Sequence, residues 1–216
     1  MMELIGLHAR LHAGKDTAYE VLCQVGEEKD LTVVRRAFAD PLKFSGLRAL
    51  GMEDSIALAN AIKETGRITI TWEGPRGGLK GRTITGRQYW QWYGTEAHRS
   101  GDLGASFGED FWVDNLLPED DGYEDTDGYW IPPSWESNFK SADLAVVTDV
   151  RFPNEAQRII DLGGQVWKID ADERLGPNED THASEIPLAD KYVTKVIDNN
   201  GTLEEFAQNI RLAVGR

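Results

Sequence analysis

Short apolar runs alternate with segments of helical spacing along most of the chain. Glu3-Leu-Ile-Gly-Leu7 is an apolar run that breaks into His8-Ala-Arg-Leu-His-Ala-Gly14, and apolar residues then recur at Ala18, Val21, Leu22 and Val25. That order predicts strand, loop, helix. Leu31 to Phe38 reads as a second strand, and Asp40-Pro41 opens a helix with Leu42, Leu47 and Leu50 on its apolar side. Residues 53 to 65 read as a further helix ending at Gly66. Ile68-Thr-Ile-Thr-Trp72 and Arg82-Thr-Ile-Thr85 alternate around Gly-Pro-Arg-Gly-Gly and predict a hairpin-like excursion. Helical spacing returns from Arg87 to about His98 and from Glu109 to Leu117.

The stretch 118 to 135 is rich in Pro, Asp, Glu and Gly and predicts a mobile surface loop. Ala142 to Val150 is almost continuously apolar, as in a parallel strand buried on both faces. A helix over 153 to 162 follows, then a strand Gln165 to Ile169. A strand Tyr192 to Ile197, the turn Asn199-Asn-Gly201 and a helix over 202 to 214 complete the pattern, the last opened by the capping-box residues Thr202-Leu-Glu-Glu205. Strands alternating with helices predict a three-layer α/β/α domain with a parallel central sheet.

Composition narrows the function classes. The chain has 216 residues, and 23 basic against 37 acidic side chains give a formal charge of −14. A chain this acidic gains nothing from the counterion release that drives binding to phosphate backbones, so no nucleic-acid partner is expected. Small anions are different, because a local cationic pocket outweighs a distant field screened over about 10 Å. No apolar stretch has the length of a membrane span, and no signal-peptide layout opens the chain, so a soluble, cytoplasmic protein without a membrane partner is expected. Cys23 is the single cysteine, and His8, His12, His98 and His182 lack zinc-ligand spacing. Fitting Asp125, Asp127 and Gly128 to a calcium loop puts Tyr123 and Ser134 at its end positions, which excludes an EF-hand.

Three constellations carry candidate chemistry. Gly14-Lys15 stands where a loop joins a first strand to a helix, the place where backbone N–H groups and a lysine converge on phosphates. Ala9 occupies the first glycine position of that motif, which is tolerable if the residue needs no positive φ, and Asp16 precedes the hydroxyl residue Thr17. A plain strand-to-helix turn containing Gly-Lys is the alternative. Asp149-Val-Arg-Phe-Pro-Asn-Glu155 follows the buried strand, at the carboxyl end where open α/β sheets bind ligands. There an Asp can meet magnesium or hold an Arg, and an Arg can grip phosphate. A helix-capping ion pair between Asp149 and Arg151 is the competing reading. Arg87 to Arg99, with Asp110-Phe-Trp112 after it, brings two arginines among aromatics, most of which should be core.

These blocks, taken in order with Phe38-Ala-Asp-Pro-Leu-Lys43, Tyr93-Gly-Thr-Glu96, Gly163-Gly164 and Thr181-His-Ala-Ser-Glu185, resemble those of the bacteriophage deoxynucleoside monophosphate kinases from about residue 3 to 212. The resemblance implies one P-loop kinase domain over 1 to 216, with an inserted acceptor-binding or lid region at about 41 to 135. It implies transfer of the γ-phosphoryl of ATP, with magnesium, to a deoxynucleoside monophosphate in the host cytoplasm; a homodimer is left open. His12, Ala13, Gly14, Lys15, Asp16 and Thr17 would hold ATP, with Asp16 and Thr17 nearest its magnesium. Lys43, Arg87, Arg99, Trp112 and Arg151 would serve the acceptor, and Lys15, Arg87, Asp149, Arg151 and Glu155 catalysis. The physical reading gives Trp112 a stacking role and has Asp149 and Glu155 orient arginines or sugar hydroxyls. A small-molecule kinase with a phosphorylated metabolite as acceptor, and a nucleotide-binding module without turnover, are the alternatives.

Overall fold

Along the chain the elements run β1 (Glu3–His8), α1 (Lys15–Lys29), β2 (Val33–Arg36), α2 (Ala39–Ala49), α3 (Ile56–Thr65), β3 (Arg67–Thr69), β4 (Thr83–Thr85), α4 (Gly86–Trp92), α5 (Phe111–Leu116), β5 (Tyr123–Glu124), β6 (Trp130–Ile131), β7 (Leu144–Val147), α6 (Pro153–Asp161), β8 (Gln165–Asp170), α7 (Asp172–Leu175), β9 (Lys195–Asp198) and α8 (Leu203–Val214). This computed structural model describes residues 2–69, 81–95, 108–119, 123–124, 130–131, 138–139, 142–176 and 188–214. Arg99, His98, the Gly-Pro-Arg-Gly-Gly stretch, most of the acidic segment and the Thr181 to Glu185 block lie outside the described residues.

The chain divides into two units, Met1–Ala37 with Leu117–Arg216, and Phe38–Leu116. In the first, five parallel strands stand in the order β2-β7-β1-β8-β9. Alternation along the strands sends Ile5, Leu7, Leu144, Val146, Trp167 and Ile169 to one face, where they pack with Ala18, Val21 and Leu22 of α1 and Phe206, Ile210 and Ala213 of α8. The other face carries α6: a methyl group at Gly6 would lie 2.5 Å from Ile159 Cδ1, so glycine there admits the helix. Helices therefore cover both faces, and β7 is buried at every position, which explains its unbroken apolar run. Each large apolar side chain sealed in this way stabilises the unit by about 1.5–3 kcal/mol.

The second unit is built on Leu47, Ala59, Tyr89, Trp90, Tyr93 and Trp112. β3 and β4 pair antiparallel with Ile68 opposite Ile84, the hairpin-like excursion expected from the alternating pattern. The aromatic run is core, as its helical spacing suggested. The Tyr89 hydroxyl donates to the Gly46 carbonyl at 2.9 Å, and the Trp90 indole N–H donates to that of Ala59 at 3.2 Å, so each buried polar tip has a partner.

Several boundaries move for local reasons. The helix read from 53 begins at Ile56, because the Ser55 hydroxyl accepts the Leu58 N–H at 3.2 Å and caps it there. Residues 190–192 form a 3₁₀ turn, and ladder pairing starts only at Lys195, so the last strand is shorter than its apolar pattern. The acidic segment read wholly as loop contains β5 and β6, paired with Tyr123 opposite Ile131, where β-favouring residues interrupt the turn formers. The last helix opens as its sequence requires: Thr202 N–H donates to Glu205 Oε2 at 2.7 Å, and Glu205 N–H donates to the Thr202 hydroxyl at 3.2 Å.

Candidate functional site

Between β1 and α1 the chain makes a tight loop at the carboxyl end of the central strand. The Ala13 N–H donates to the Arg10 carbonyl at 3.2 Å. Two residues take the left-handed conformation, His12 with φ 64° and Gly14 with φ 102°. Gly14 is required twice over, because beyond its φ a Cβ would stand 2.6 Å from Asn199 Nδ2 and 3.3 Å from a ring carbon of Phe206. Ala9 is not among the positive-φ residues, so its methyl group does not obstruct the turn. Gly14 is the N-cap of α1 and supplies no side-chain cap, and the positive end of the helix dipole lies at this loop. Lys15 Nζ folds back and donates to the Ala9 carbonyl at 2.9 Å. A loop with left-handed residues, a helix N-terminus and a lysine thus meet at the end of the central strand, the combination that phosphate sites use.

The far end of the chain fixes this loop. Asn199, just past β9, donates from Nδ2 to the Ala13 carbonyl at 2.8 Å. Arg174 of α7 donates from Nε to the Asn199 carbonyl at 3.3 Å and from Nη2 to the His12 carbonyl at 3.1 Å. Arg10 Nη1 donates to Asp172 Oδ1 at 3.1 Å and to the Gly176 carbonyl at 2.7 Å. Asn200 Oδ1 in turn accepts the Glu173 and Arg174 N–H groups at 3.0 and 3.3 Å, capping the short helix that carries Arg174.

The neighbouring strand β7 ends in the second constellation. Val150 N–H donates to the Leu7 carbonyl at 3.2 Å, and the buried His8 bonds through Nδ1 to the Val150 carbonyl at 2.9 Å. His8 Nε2 accepts the Leu188 N–H at 3.2 Å, so the proton sits on Nδ1 and is donated to Val150. Half-buried Asp149 and Arg151 flank Val150. Glu155 is 3% exposed, and its Oε2 accepts both the Arg151 N–H at 2.8 Å and the Phe152 N–H at 3.0 Å. It closes the N-terminus of α6, whose first residue is Pro153, and so sets the backbone on which Arg151 stands. At the end of β2, Arg35 donates from Nε to the Thr148 hydroxyl at 2.9 Å, and its Nη2 lies 3.7 Å from Asp16 Oδ1.

The second unit holds the other candidates. Lys43 is half-buried on α2. Arg87 is exposed on α4, its Nη2 donating to Glu64 Oε1 at 3.3 Å, a surface pair of small energetic weight. Trp112 is 3% exposed; its indole N–H donates to the Gly94 carbonyl at 3.0 Å, and its ring lies against Phe111 and Tyr93. Among the described residues no cluster of three or more His, Cys, Asp or Glu could hold a metal, and no helix is long and apolar enough to cross a membrane.

No protein-family model matches the chain. It is 31% identical over 214 residues to the protein named "Putative deoxynucleotide monophosphate kinase" of Acanthamoeba polyphaga mimivirus, across 97% of this chain and 94% of that protein. The chain belongs to the deoxynucleotide monophosphate kinase family. The five-stranded parallel sheet flanked by helices is the α/β architecture that the sequence pattern predicted, and it is consistent with the P-loop kinase-like fold that the resemblance implied. Within this family member the structure adds residues that motif reading passed over: Arg10, Arg35, Arg174 and Asn199. Arg35 and Asn199 lie at the carboxyl ends of parallel strands, the same positional signal that singled out Asp149.

Proposed function

We propose that the protein is a deoxynucleoside monophosphate kinase, moving the γ-phosphoryl of ATP to a dNMP to give dNDP and ADP. The observation that carries the reading is the loop from Ala9 to Lys15, whose Ala13 and His12 carbonyls are held by Asn199 and Arg174. Loop amides from His12 to Thr17 and the Lys15 ammonium bind the β and γ phosphates and neutralise charge that builds during transfer. Rebinding Lys15 from the Ala9 carbonyl to phosphate replaces a neutral acceptor with an ionised one, a stronger hydrogen bond.

Magnesium accompanies ATP in this reading. The donors beside the loop suit it: the Asp16 carboxylate, whose side chain is 87% exposed, and the Thr17 hydroxyl are hard oxygen ligands on the first turn of α1. Magnesium keeps several waters and phosphate oxygens as its other ligands, so one or two protein oxygens suffice. Held there by Asp16 and Thr17, it would neutralise part of the phosphate charge.

Arg151 binds the acceptor phosphate from a backbone fixed by Glu155, and Asp149 orients it. Arg87 is assigned to the acceptor by resemblance, and Lys43 and Arg99 are further cationic candidates for its phosphate. Trp112 serves the acceptor indirectly, by fixing the Tyr93–Gly94 segment to which it donates. No strong general base is needed, because the attacking phosphate oxygen is already ionised near neutral pH. The test is an ADP-release assay with ATP and magnesium against each of the four dNMPs and the matching ribonucleotides. Release with one or more dNMPs is expected. Release only with a phosphorylated non-nucleotide, or ATP binding without any transfer, overturns the assignment.

A further inference from the structure

The carboxyl ends of three adjacent strands, β2, β7 and β1, lie side by side in the sheet, and each carries a polar group there. β1 leads to the loop, and β7 leads through Thr148 to Asp149. β2 ends in Arg35-Arg36, which no motif singled out. Arg36 turns its Nη1 back to the Arg35 carbonyl at 2.8 Å. Arg35 is placed differently, and its partners come from two other elements.

Its Nε donates to the hydroxyl of Thr148, a residue only 3% exposed, at 2.9 Å. Its guanidinium carbon lies 5.9 Å from the centre of the Tyr19 ring on α1. With Nε tied and the guanidinium carbon over an aromatic ring, the edge formed by Nη1 and Nη2 remains. Among the described residues this edge meets only Asp16, at 3.7 Å, beyond hydrogen-bond length. The Arg35 side chain is 49% exposed and that of Asp16 87%, so this ion pair is screened and cheap to exchange. An arginine anchored through Nε, with its two-pronged edge facing solvent beside a phosphate loop, has the form of a bidentate oxyanion receptor.

We propose that Arg35 binds the phosphate of the acceptor nucleotide, with Thr148 as its positioning residue and Asp16 as its partner in the absence of substrate. This rests on the kinase reading above. The acceptor rather than ATP is assigned because the loop and Lys15 already serve the donor from β1, whereas Arg35 reaches in from β2, across β7. A phosphate monoester carries nearly two charges and three acceptor oxygens against the single charge of Asp16, so it displaces the carboxylate.

Steady-state kinetics of the full chain, with ATP and dNMP varied separately, test this together with ATP binding in the absence of acceptor and the thermal midpoint. Arg35→Gln is expected to raise the dNMP KM by about tenfold or more while the Kd for ATP changes less than about twofold. Arg35→Lys should recover part of the loss, because charge returns without the fork. Thr148→Val, which keeps the guanidinium but releases Nε, should raise the dNMP KM by a few-fold only. Equal losses toward both nucleotides, an unchanged dNMP KM, or a lowered melting midpoint with unchanged kinetics would each overturn the role of Arg35. A wild-type chain that phosphorylates no dNMP removes the kinase reading and this inference together; an active wild type matched by Arg35→Gln removes this inference alone.

Discussion

Asn199 donates its side-chain amide to the carbonyl of Ala13 at 2.8 Å, joining positions 186 apart in the chain inside a buried site. That bond, with Gly14 packed against Asn199 and Phe206, makes the β1–α1 loop a tertiary object as much as a local turn.

Removing the amide therefore has two effects. Asn199→Ala strands a buried carbonyl and should cost about 1–3 kcal/mol in urea unfolding. It should also weaken ATP binding measured by calorimetry, since the loop loses its support. A loss of stability with ATP affinity intact would limit Asn199 to the scaffold.

Lys15→Ala separates chemistry from folding in the opposite sense. The ammonium bonds the Ala9 carbonyl, an easily replaced contact, and in the proposed transfer it would meet developing charge. A drop of about 100-fold or more in kcat is expected, with a melting midpoint close to that of the wild type. Near-normal turnover would remove the loop from the mechanism.

Glu155 can be tested for cap against catalyst. Its Oε2 accepts two N–H groups in a nearly sealed position, so Glu155→Ala should destabilise by about 2–4 kcal/mol. Glu155→Gln keeps an acceptor oxygen and should recover much of that stability. If the Gln variant is stable but inactive, the charge of Glu155 acts in the reaction; if it is stable and active, the residue is a cap that positions Arg151.

The second unit should reveal itself at alkaline pH. Burial pushes the Tyr89 phenol up, with the neighbouring Tyr93 adding to the shift. In the unfolded chain the same group titrates near about 10. Above that pH the unfolded state releases a proton that the folded state keeps, so stability present below about pH 10 is lost as pH rises. Tyr89→Phe should flatten this decline in unfolding midpoints measured from pH 8 to 11. At neutral pH it should cost about 1 kcal/mol, for the lost bond to Gly46. Tyr19, raised to about 12 chiefly by burial, would sustain part of the decline in that variant.

What the sequence disclosed follows the range of the interactions involved. Gly14-Lys15 was legible because strand, loop and helix are contiguous, and the capping box at Thr202 because its partners are three residues apart. The core role of Tyr89, Trp90 and Tyr93 followed from helical spacing. Arg35 was invisible because its anchor, Thr148, lies 113 positions away. Apolar periodicity identifies a strand but not which strands become its neighbours. Glu155 was legible as part of a motif, yet its duty toward the Arg151 and Phe152 amides depends on where α6 starts. Trp112 was read as a base platform because aromatic type carries no record of burial.

The strand order β2-β7-β1-β8-β9 has a consequence for how the molecule is made. β1 leaves the ribosome well before either neighbour, because these begin more than a hundred residues later, at Leu144 and Gln165. At a synthesis rate of about 5–20 residues per second, its apolar side chains wait on the order of ten seconds for a partner. During that interval Leu4, Ile5 and Leu7 are exposed and open to chaperones or to aggregation. The loop waits longer still, because its clasp at Asn199 is translated after both of those strands. The β1–α1 loop therefore takes its held form only after Asn199 has been made, long after its own residues.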